Sequence, residues 1–221
     1  MLIRTSEALA IALAKAVDGA VLTLATGAFA LPPGWTATRP ITLVGQGSDA
    51  TRLVGHLAAD GDVTLTDLAI AGHGRAPVIH ARSGHLTVTR CRLADGILGL
   101  LVTGDATAAI DDTEIVGHRG DGVRLSHQAR ATVSRCLIER NGGDGVAAWG
   151  EAELFIENSL VLDNRGCGVA FREATGGEAY GNLIQGHRGA DLVVSGIAGP
   201  RLAENTVPEP EPEAVVALEA A

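Results

Sequence analysis

The chain has 221 residues, of which 46% are apolar and only 3% aromatic, and its formal net charge is −9. With so few rings, a core must be built from Val, Ile, Leu and Ala, and 29 glycines are too many for helical repeats. The first 200 residues hold 16 basic and 21 acidic residues, a net charge of about −5, which argues against general nucleic-acid binding because that function needs a basic face.

The first predicted element is an amphipathic helix from about Ser6 to Val17, stopped at Gly19. Such a helix would cover the open end of a stack of coils, and we expect it to act as a cap. Its apolar face contains Leu9, Leu13, Ala16 and Val17.

The same segment has some features of a secretory signal, since Arg4 precedes an apolar run over residues 8–14. Glu7 and Lys15 place charges at both ends of that run, which is at the short limit for a signal peptide. The sequence therefore favours a cap and a cytoplasmic location, with secretion by a leaderless route left open. No segment is long enough to span a membrane.

A hydrophobic pattern recurs every 22 or 23 residues through two thirds of the chain. A fixed period of this size indicates a solenoid, in which each repeat forms one coil stacked on the next. One apolar column contains Leu65, Val88, Ile110, Val133, Ile156, Ala179 and Leu202, and another contains Val78, Leu100, Val123, Val146, Val169 and Leu192.

Residues 130–152 show how one coil is built. Apolar and polar residues alternate around Val133, which predicts a strand, and a bend follows at Cys136. Asn141 begins an Asn-Gly-Gly turn, and Val146 lies in a third strand. Three short strands and three turns leave no room for a helix, so successive coils must pair strand on strand in parallel.

Polar or small residues stack at fixed positions of the coil. Such side chains can satisfy backbone groups at a tight bend and bond to the next coil. The bend column contains Leu68, Cys91, Thr113, Cys136, Ser159, Asn182 and Asn205, and the turn column contains His73, Gly96, His118, Asn141, Asn164 and His187. The position before the bend alternates in sign and predicts a ladder of ion pairs, formed by Asp67, Arg90, Asp112 and Arg135.

The repeat VSRCLIERNGGDGV over residues 133–146 resembles that of the pectin lyase-like superfamily, which often has Asn at the place of Cys136. Residues 6–29 and 41–53 are similar to the capping helix and first coils of that family. The resemblance covers residues 5–207. It implies an all-β fold, a single-stranded right-handed parallel β-helix of about eight coils with an N-terminal capping helix.

On this basis the β-helix domain spans residues 1–207, including the capping helix over 6–17, and residues 208–221 form an acidic Pro/Glu linker and tail. The family includes lyases, hydrolases, epimerases and non-catalytic binding modules, so the resemblance leaves the function open. Family members with polysaccharide activity usually work on the outer face of the third strand. The outward residues predicted there are Ile79, Leu101, Arg124, Ala147, Ala170 and Val193.

That face is almost entirely apolar, whereas catalysis on an acidic sugar needs several charged groups that converge. The best catalytic candidates are Asp121 and Asp144, each in an Asp-Gly pair one coil apart. Adjacent coils lie about 4.8 Å apart, and carboxylates about 5 Å apart suit a retaining glycosidase. Asp-Gly is also ordinary turn chemistry, and the His motif and basic triplet of the family's hydrolases are missing.

Trp149 and Arg172 are predicted to bind a ligand, because they take the same place in adjacent coils with Arg124 on the same face. An indole beside guanidinium groups can stack on and hydrogen-bond a sugar. The alternative is a Trp that covers the shoulder of a turn. A second basic column could recognise an acidic glycan, and it contains Arg119, Arg165 and Arg188.

The second strand of each coil carries aliphatic residues at outward positions that should be polar. An exposed aliphatic stripe usually marks an interface, and the cover would be a partner chain, a second copy, or the C-terminal segment from Ala214. The stripe contains Leu137, Leu160 and Leu183, with Val116 and Leu162 nearby.

No metal-ligand spacing is present, no cofactor is predicted, and Cys91 and Cys136 lie two coils apart, too far for a disulfide. The predicted function is a non-catalytic β-helix scaffold or a carbohydrate-binding or interaction module. Its candidate partners are a polysaccharide, a protein or a second copy. The alternative is a polysaccharide lyase or glycoside hydrolase acting on an acidic polysaccharide through Asp121 and Asp144.

Overall fold

The computed structural model describes residues 2–207, which form a three-sided parallel β-helix. The predicted acidic linker and tail lie outside the described residues. In chain order the elements begin with β1 (Leu2–Ile3), α1 (Ser6–Lys15), β2 (Ala20–Leu24), β3 (Gly27–Ala30), β4 (Thr36–Ala37), β5 (Ile41–Val44), β6 (Thr51–Val54), β7 (Leu57–Ala59), β8 (Val63–Thr66), β9 (Ala69–Ala71), β10 (Ile79–Ala81), β11 (His85–Thr89), β12 (Arg92–Ala94) and β13 (Leu100–Val102). They continue with β14 (Thr107–Asp111), β15 (Glu114–Val116), β16 (Val123–Leu125), β17 (Arg130–Ser134), β18 (Leu137–Glu139), β19 (Val146–Ala148), β20 (Glu153–Glu157), β21 (Leu160–Leu162), β22 (Val169–Phe171), β23 (Gly176–Tyr180), β24 (Leu183–Gln185), β25 (Leu192–Val194) and β26 (Arg201–Ala203).

Each coil contributes one strand to each of three parallel sheets. Sheet A has the order β1-β2-β5-β8-β11-β14-β17-β20-β23-β26, sheet B has β3-β6-β9-β12-β15-β18-β21-β24, and sheet C has β4-β7-β10-β13-β16-β19-β22-β25. Two sheets of eight strands and one of ten confirm the predicted single-stranded parallel β-helix, which has about nine turns where about eight coils were expected.

The core is a stack of nearly identical apolar layers. In sheet B, Ile138 pairs in register with Ile115 of the preceding coil and Val161 of the next, and all three are fully buried. Each such side chain contributes about 1.5–3 kcal/mol by leaving water. The columns predicted from the 22–23-residue period are therefore columns of the core.

One predicted column is wrong by one residue in a single coil. Ile79, and not Val78, pairs with Leu57 and Leu100, so Ile79 points into the core and His80 faces outward. The reason is an insertion: seven residues separate β9 from β10, whereas six separate β15 from β16. The period alone could not place this extra residue.

The predicted capping helix is present but ends at Lys15, two residues earlier than expected. The Thr5 hydroxyl accepts a hydrogen bond from the Ala8 backbone N–H at 3.1 Å, which gives a partner to one backbone donor of the first helical turn. Leu9 and Leu13 are buried as predicted, but Val17 is 67% exposed because the chain must turn to enter β2. In the described part of the chain, no helix has the length and apolar character needed to cross a membrane.

The polar bend column forms a hydrogen-bonded ladder between sheets A and B. The backbone N–H of Cys136 donates to Ser159 Oγ at 3.1 Å, and the N–H of Ser159 donates to Asn182 Oδ1 at 2.9 Å. Asn182 repeats the pattern with Asn205 at 3.1 Å. Burial raises the pKa of the Cys136 thiol to about 12, so this cysteine stays protonated in its place in the ladder.

The predicted ladder of ion pairs is correct for one pair and shifted for the other. Arg90 makes two hydrogen bonds of 2.7 and 2.9 Å to Asp67. Arg135 instead reaches Asp111, at 2.5 Å, and not Asp112. Asp112 is exposed, whereas Asp111 is the last residue of strand β14 and pairs in register with Ser134, the residue before the arginine.

Candidate functional site

A groove follows the corner between sheets B and C. Its volume is about 580 Å³, and it runs across four successive coils. Four arginines line it, and we call it the arginine groove, defined by Arg119, Arg140, Arg165 and Arg188.

The turns that build this groove share one backbone conformation. In these four coils, the residue after the sheet-B strand has a positive φ, between +53° and +79°. These residues are Gly117, Arg140, Asp163 and Gly186. Two positions later in each coil comes the second row of lining residues, namely Arg119, Gly142, Arg165 and Arg188.

A buried polar ladder lies between the two rows and fixes their spacing. Asn141 donates its backbone N–H to Asn164 Oδ1 at 3.0 Å and its side-chain amide to the Ile115 carbonyl at 3.2 Å. His118 takes part through its ring, and its Nδ1 accepts the Gly96 N–H at 3.1 Å. The predicted turn column is therefore a continuous ladder from Gly96 to His187.

Glycine keeps the groove open at its centre. A Cβ atom on Gly142 would overlap the carbonyl oxygen of Arg119, so only glycine fits this close approach between coils. Because Gly142 has no side chain, this row has a gap between Arg119 and Arg165. These two arginines are two coils apart, roughly 10 Å at the usual strand spacing. Arg140 lies beside this gap, in the other row.

The groove carries an excess of positive charge on an otherwise acidic chain. Arg119 donates to the Gly74 carbonyl at 3.1 Å, and Arg140 lies 3.1 Å from Glu139. Within residues 2–207, Arg165 and Arg188 have no ion-pair partner, and both are exposed. These two guanidinium groups are therefore available to an anion.

The predicted catalytic aspartates lie beside this groove and are held in place by hydrogen bonds. Asp121 Oδ1 accepts the Asp144 N–H at 2.8 Å, and its Oδ2 accepts from Arg124 at 2.6 Å. Asp144 repeats the arrangement one coil later with the Cys167 N–H at 2.7 Å and Arg172 at 2.6 Å. Both oxygens of each carboxylate are therefore engaged, as expected for residues that fix a corner.

Of the predicted ligand-binding residues, Trp149 and Arg172 contact each other at the end of their sheet C strands, whereas Arg124 binds Asp121. Arg172 lies over the Trp149 ring, 4.6 Å from its centroid, and reaches back across the strand to Asp144. This path explains why the outward-facing Ala147 and Ala170 are fully buried. The side chain of Arg172 is only 19% exposed, so its guanidinium already has both an anion and a ring.

The predicted aliphatic stripe is continuous in sheet B. Leu137, Leu160 and Leu183 are paired in register on successive strands, and Leu160 is 44% exposed. Val116 and Leu162 are half-buried on the same face. The segment from Ala214, the alternative cover, lies outside the described residues, so the interface stays a prediction.

Some residues of potential function were missed by the sequence reasoning. Arg140 and Asp163 enter the groove from the row before the ladder, and the signal was their position one residue before Asn141 and Asn164. Across residues 2–207, no group of three or more His, Cys, Asp or Glu side chains is arranged to hold a metal ion.

Comparisons with known proteins agree with this architecture. The family model described as "Right handed beta helix region" matches residues 58–216. A search of the curated proteins found no match.

Similar solved structures include a mutant of the periplasmic alginate epimerase AlgG, with 13% identity and a TM-score of 0.63 over 86% of this chain and 60% of the other. The Agl-KA catalytic domain has 18% identity and a TM-score of 0.61 over 90% and 42%. The PL6 family alginate lyase AlyGC has 13% identity and a TM-score of 0.57 over 93% and 39%. The chain thus spans about two fifths to three fifths of these proteins, and identities this low show a shared fold.

Proposed function

The chain belongs to the right-handed β-helix family, and from that premise we propose that it is a non-catalytic carbohydrate-binding module whose arginine groove binds an acidic polysaccharide. The observation that carries this proposal is the pair of exposed guanidinium groups on Arg165 and Arg188, which have no ion-pair partner within residues 2–207. Arginine forms paired hydrogen bonds with carboxylate and sulfate-like oxygens and is the usual choice for such ligands.

The direction of the groove suits an extended polymer. Arg119 and Arg188 lie three coils apart, roughly 14 Å at the usual strand spacing. A chain lying parallel to the helix axis would meet an arginine on each coil, since Arg140 covers the coil where Gly142 interrupts the second row. A small anion would use only one of these coils.

Nucleic acid is a poorer ligand for this groove. Its lining contains no Phe, Tyr or Trp, and its single imidazole, on His118, is buried in the ladder, so bases have no exposed ring on which to stack. Asp163 lines the groove, and the chain carries a net charge of −9, which opposes a polyanion as highly charged as a nucleic acid.

The test compares the wild type with the double variant Arg165→Ala/Arg188→Ala in binding to alginate and polygalacturonate. Alginate is included because two structural neighbours are named for it. We expect the double variant to bind at least about tenfold more weakly, because two charge-assisted contacts are lost. Affinity should also fall as salt is added, since exposed charges are screened.

Arg4→Ala is the matched control, because it removes an exposed arginine at the N-terminal end, away from the groove. Equal binding by the wild type and the double variant, or equal binding of a neutral glucan, would contradict the proposal. The non-catalytic part is tested by incubation with the same polymers. Release of oligosaccharides by the wild type, lost in Asp121→Asn/Asp144→Asn, would favour the lyase or hydrolase alternative.

A further inference from the structure

The outer face of sheet A changes character along the helix. Over its middle coils the outward residues are mostly threonines, whereas β20 and β23 carry rings and carboxylates. Phe155 pairs in register with Glu178, and Glu157 pairs with Tyr180. The four side chains therefore form a square with rings at two opposite corners and carboxylates at the other two. We call this square the aromatic–acid site.

A shallow cavity of about 400 Å³ opens over this square. Its wall includes all four side chains together with Thr132 of the preceding coil. The four are half-buried, so each presents part of its surface to solvent. Diagonal neighbours on a sheet lie about 7–8 Å apart, which lets one ligand contact both rings.

The environment of the rings already attracts a cation. The Arg130 guanidinium lies over the Phe155 ring, 5.5 Å from its centroid, and forms an ion pair with Glu153. Phe155 lines the cavity, whereas Arg130 does not. The face of Phe155 toward the cavity is left for a second group.

Acidic groups outnumber basic ones around the cavity. Glu157 accepts a hydrogen bond from Ser134 at 2.9 Å, and Glu178 lies 3.6 Å from Arg201. The Tyr180 hydroxyl donates to Glu204 at 2.6 Å, and this contact raises the pKa of Tyr180. The glutamates near the cavity are Glu153, Glu157, Glu178 and Glu204, and within residues 2–207 their ion pairs are those to Arg130 and Arg201.

We propose that the aromatic–acid site binds a protonated amino-sugar oligomer. An ammonium group is attracted both by ring faces and by carboxylates, and the apolar face of a sugar ring can lie on Phe155 and Tyr180. The row of threonine hydroxyls along the sheet suits an extended sugar chain. This site is independent of the arginine groove, which has the opposite charge and lies on a different side of the helix.

The experiment is isothermal titration of the full chain with a glucosamine hexamer, at a pH where the amine is protonated. The N-acetylated hexamer is the matched ligand, since it keeps the sugar and loses the charge. We expect the glucosamine hexamer to bind. Phe155→Ala and Glu178→Gln should each weaken that binding about tenfold, because each removes one contact to the cation.

Glu151→Gln is the control, because this exposed glutamate lies outside the cavity and its amide can still pair with Gln128. Circular dichroism of each variant should show the wild-type β spectrum. Absence of binding to the glucosamine hexamer, or equal binding of the N-acetylated hexamer, would overturn the proposal. A lysine-rich peptide that binds as tightly and is equally sensitive to both variants would also overturn it, in favour of a basic protein partner.

Discussion

His118 occupies a ladder position that Asn141 and Asn164 hold in the next two coils. Its Nδ1 accepts the Gly96 N–H, so the neutral ring carries its proton on Nε2 and donates it to the Leu93 carbonyl at 3.2 Å. Burial lowers the pKa of His118 to about 4. A protonated ring would lose its acceptor and leave the Gly96 N–H without a partner.

This arrangement predicts acid sensitivity. The unfolded chain takes up a proton at His118 near pH 6.5, the ordinary value for histidine, whereas the folded chain does so only near pH 4. Stability is therefore full above about pH 6.5, falls as the pH is lowered through this window, and reaches its lowest level below pH 4. The loss is on the order of 3 kcal/mol.

His118→Asn supplies the matched variant, because the Asn141 side chain makes the same two bonds without titrating: it accepts the His118 N–H and donates to the Ile115 carbonyl. Urea unfolding at a series of pH values should show a smaller decrease in the free energy of unfolding for the variant than for the wild type. His187, whose pKa is also lowered by burial, retains part of the dependence in both proteins. Parallel curves for the two proteins would show that His118 does not cause the sensitivity.

Asp144 gives a second prediction at this scale. Its carboxylate accepts from the Cys167 N–H and from Arg172, and its side chain is only 14% exposed. Asp144→Asn should lower the free energy of unfolding by about 1–3 kcal/mol, since it removes a charge-assisted bond and leaves Arg172 without its anion. Asp105→Asn, at an exposed turn position, should change it by less than about 0.5 kcal/mol in the same urea titration. Equal effects would contradict the structural role of Asp144.

At the scale of elements, the sequence predicted most of the strands because side chains in consecutive coils repeat their environment. Val133, Ile138 and Val146 lie in the three strands expected for their coil. The predicted core position was wrong by one residue at Ile79, because the turn before it contains one extra residue. An insertion in a turn does not change the apolar pattern of the strands in its own coil.

The candidate sites were predictable only in part. The columns of equivalent coil positions predicted that Trp149 lies near Arg172 and that Arg165 lies near Arg188. Residues at equivalent positions in adjacent coils must be neighbours. The reach of Arg172 across the strand to Asp144 depends on its rotamer, which no pattern encodes. The aromatic–acid site was not predicted from the sequence, because its two aromatic residues occupy different positions in adjacent strands and so form no column.

The capping helix gives a prediction at this scale. Leu9 is fully buried against the first coils, whereas Ile11 on the same helix is 50% exposed. Leu9→Ala should cost about 2–5 kcal/mol, the usual range for a buried leucine, and Ile11→Ala less than about 0.5 kcal/mol. Thermal unfolding followed by circular dichroism compares them. A small effect of Leu9→Ala would mean that the helix does not cap the core.

At the scale of the whole molecule, the solenoid separates surfaces of different chemistry. One corner carries the arginine groove, the face of sheet A carries the aromatic–acid site, and sheet B carries the aliphatic stripe. Because every coil contacts only its neighbours, a residue on one face can change without disturbing the others. A regular core with apolar layers of similar size therefore allows three independent surfaces on one small chain.

The same nearest-neighbour construction predicts a gradient of stability along the helix. Ile138 is fully buried between two complete coils, whereas Leu192 in β25 is half-buried and pairs with a single described strand. Ile138→Ala should cost about 2–5 kcal/mol, and Leu192→Ala clearly less, since part of its surface already faces water. Hydrogen exchange of the wild type should show β25 opening at a lower free energy than β18 or β19, because coils at an end can separate without breaking the centre. Uniform hydrogen exchange from β16 to β25, together with equal losses of unfolding free energy for the two substitutions, would contradict this gradient. It would mean that the coils unfold as one unit, because the interactions between neighbouring coils exceed the differences in their burial.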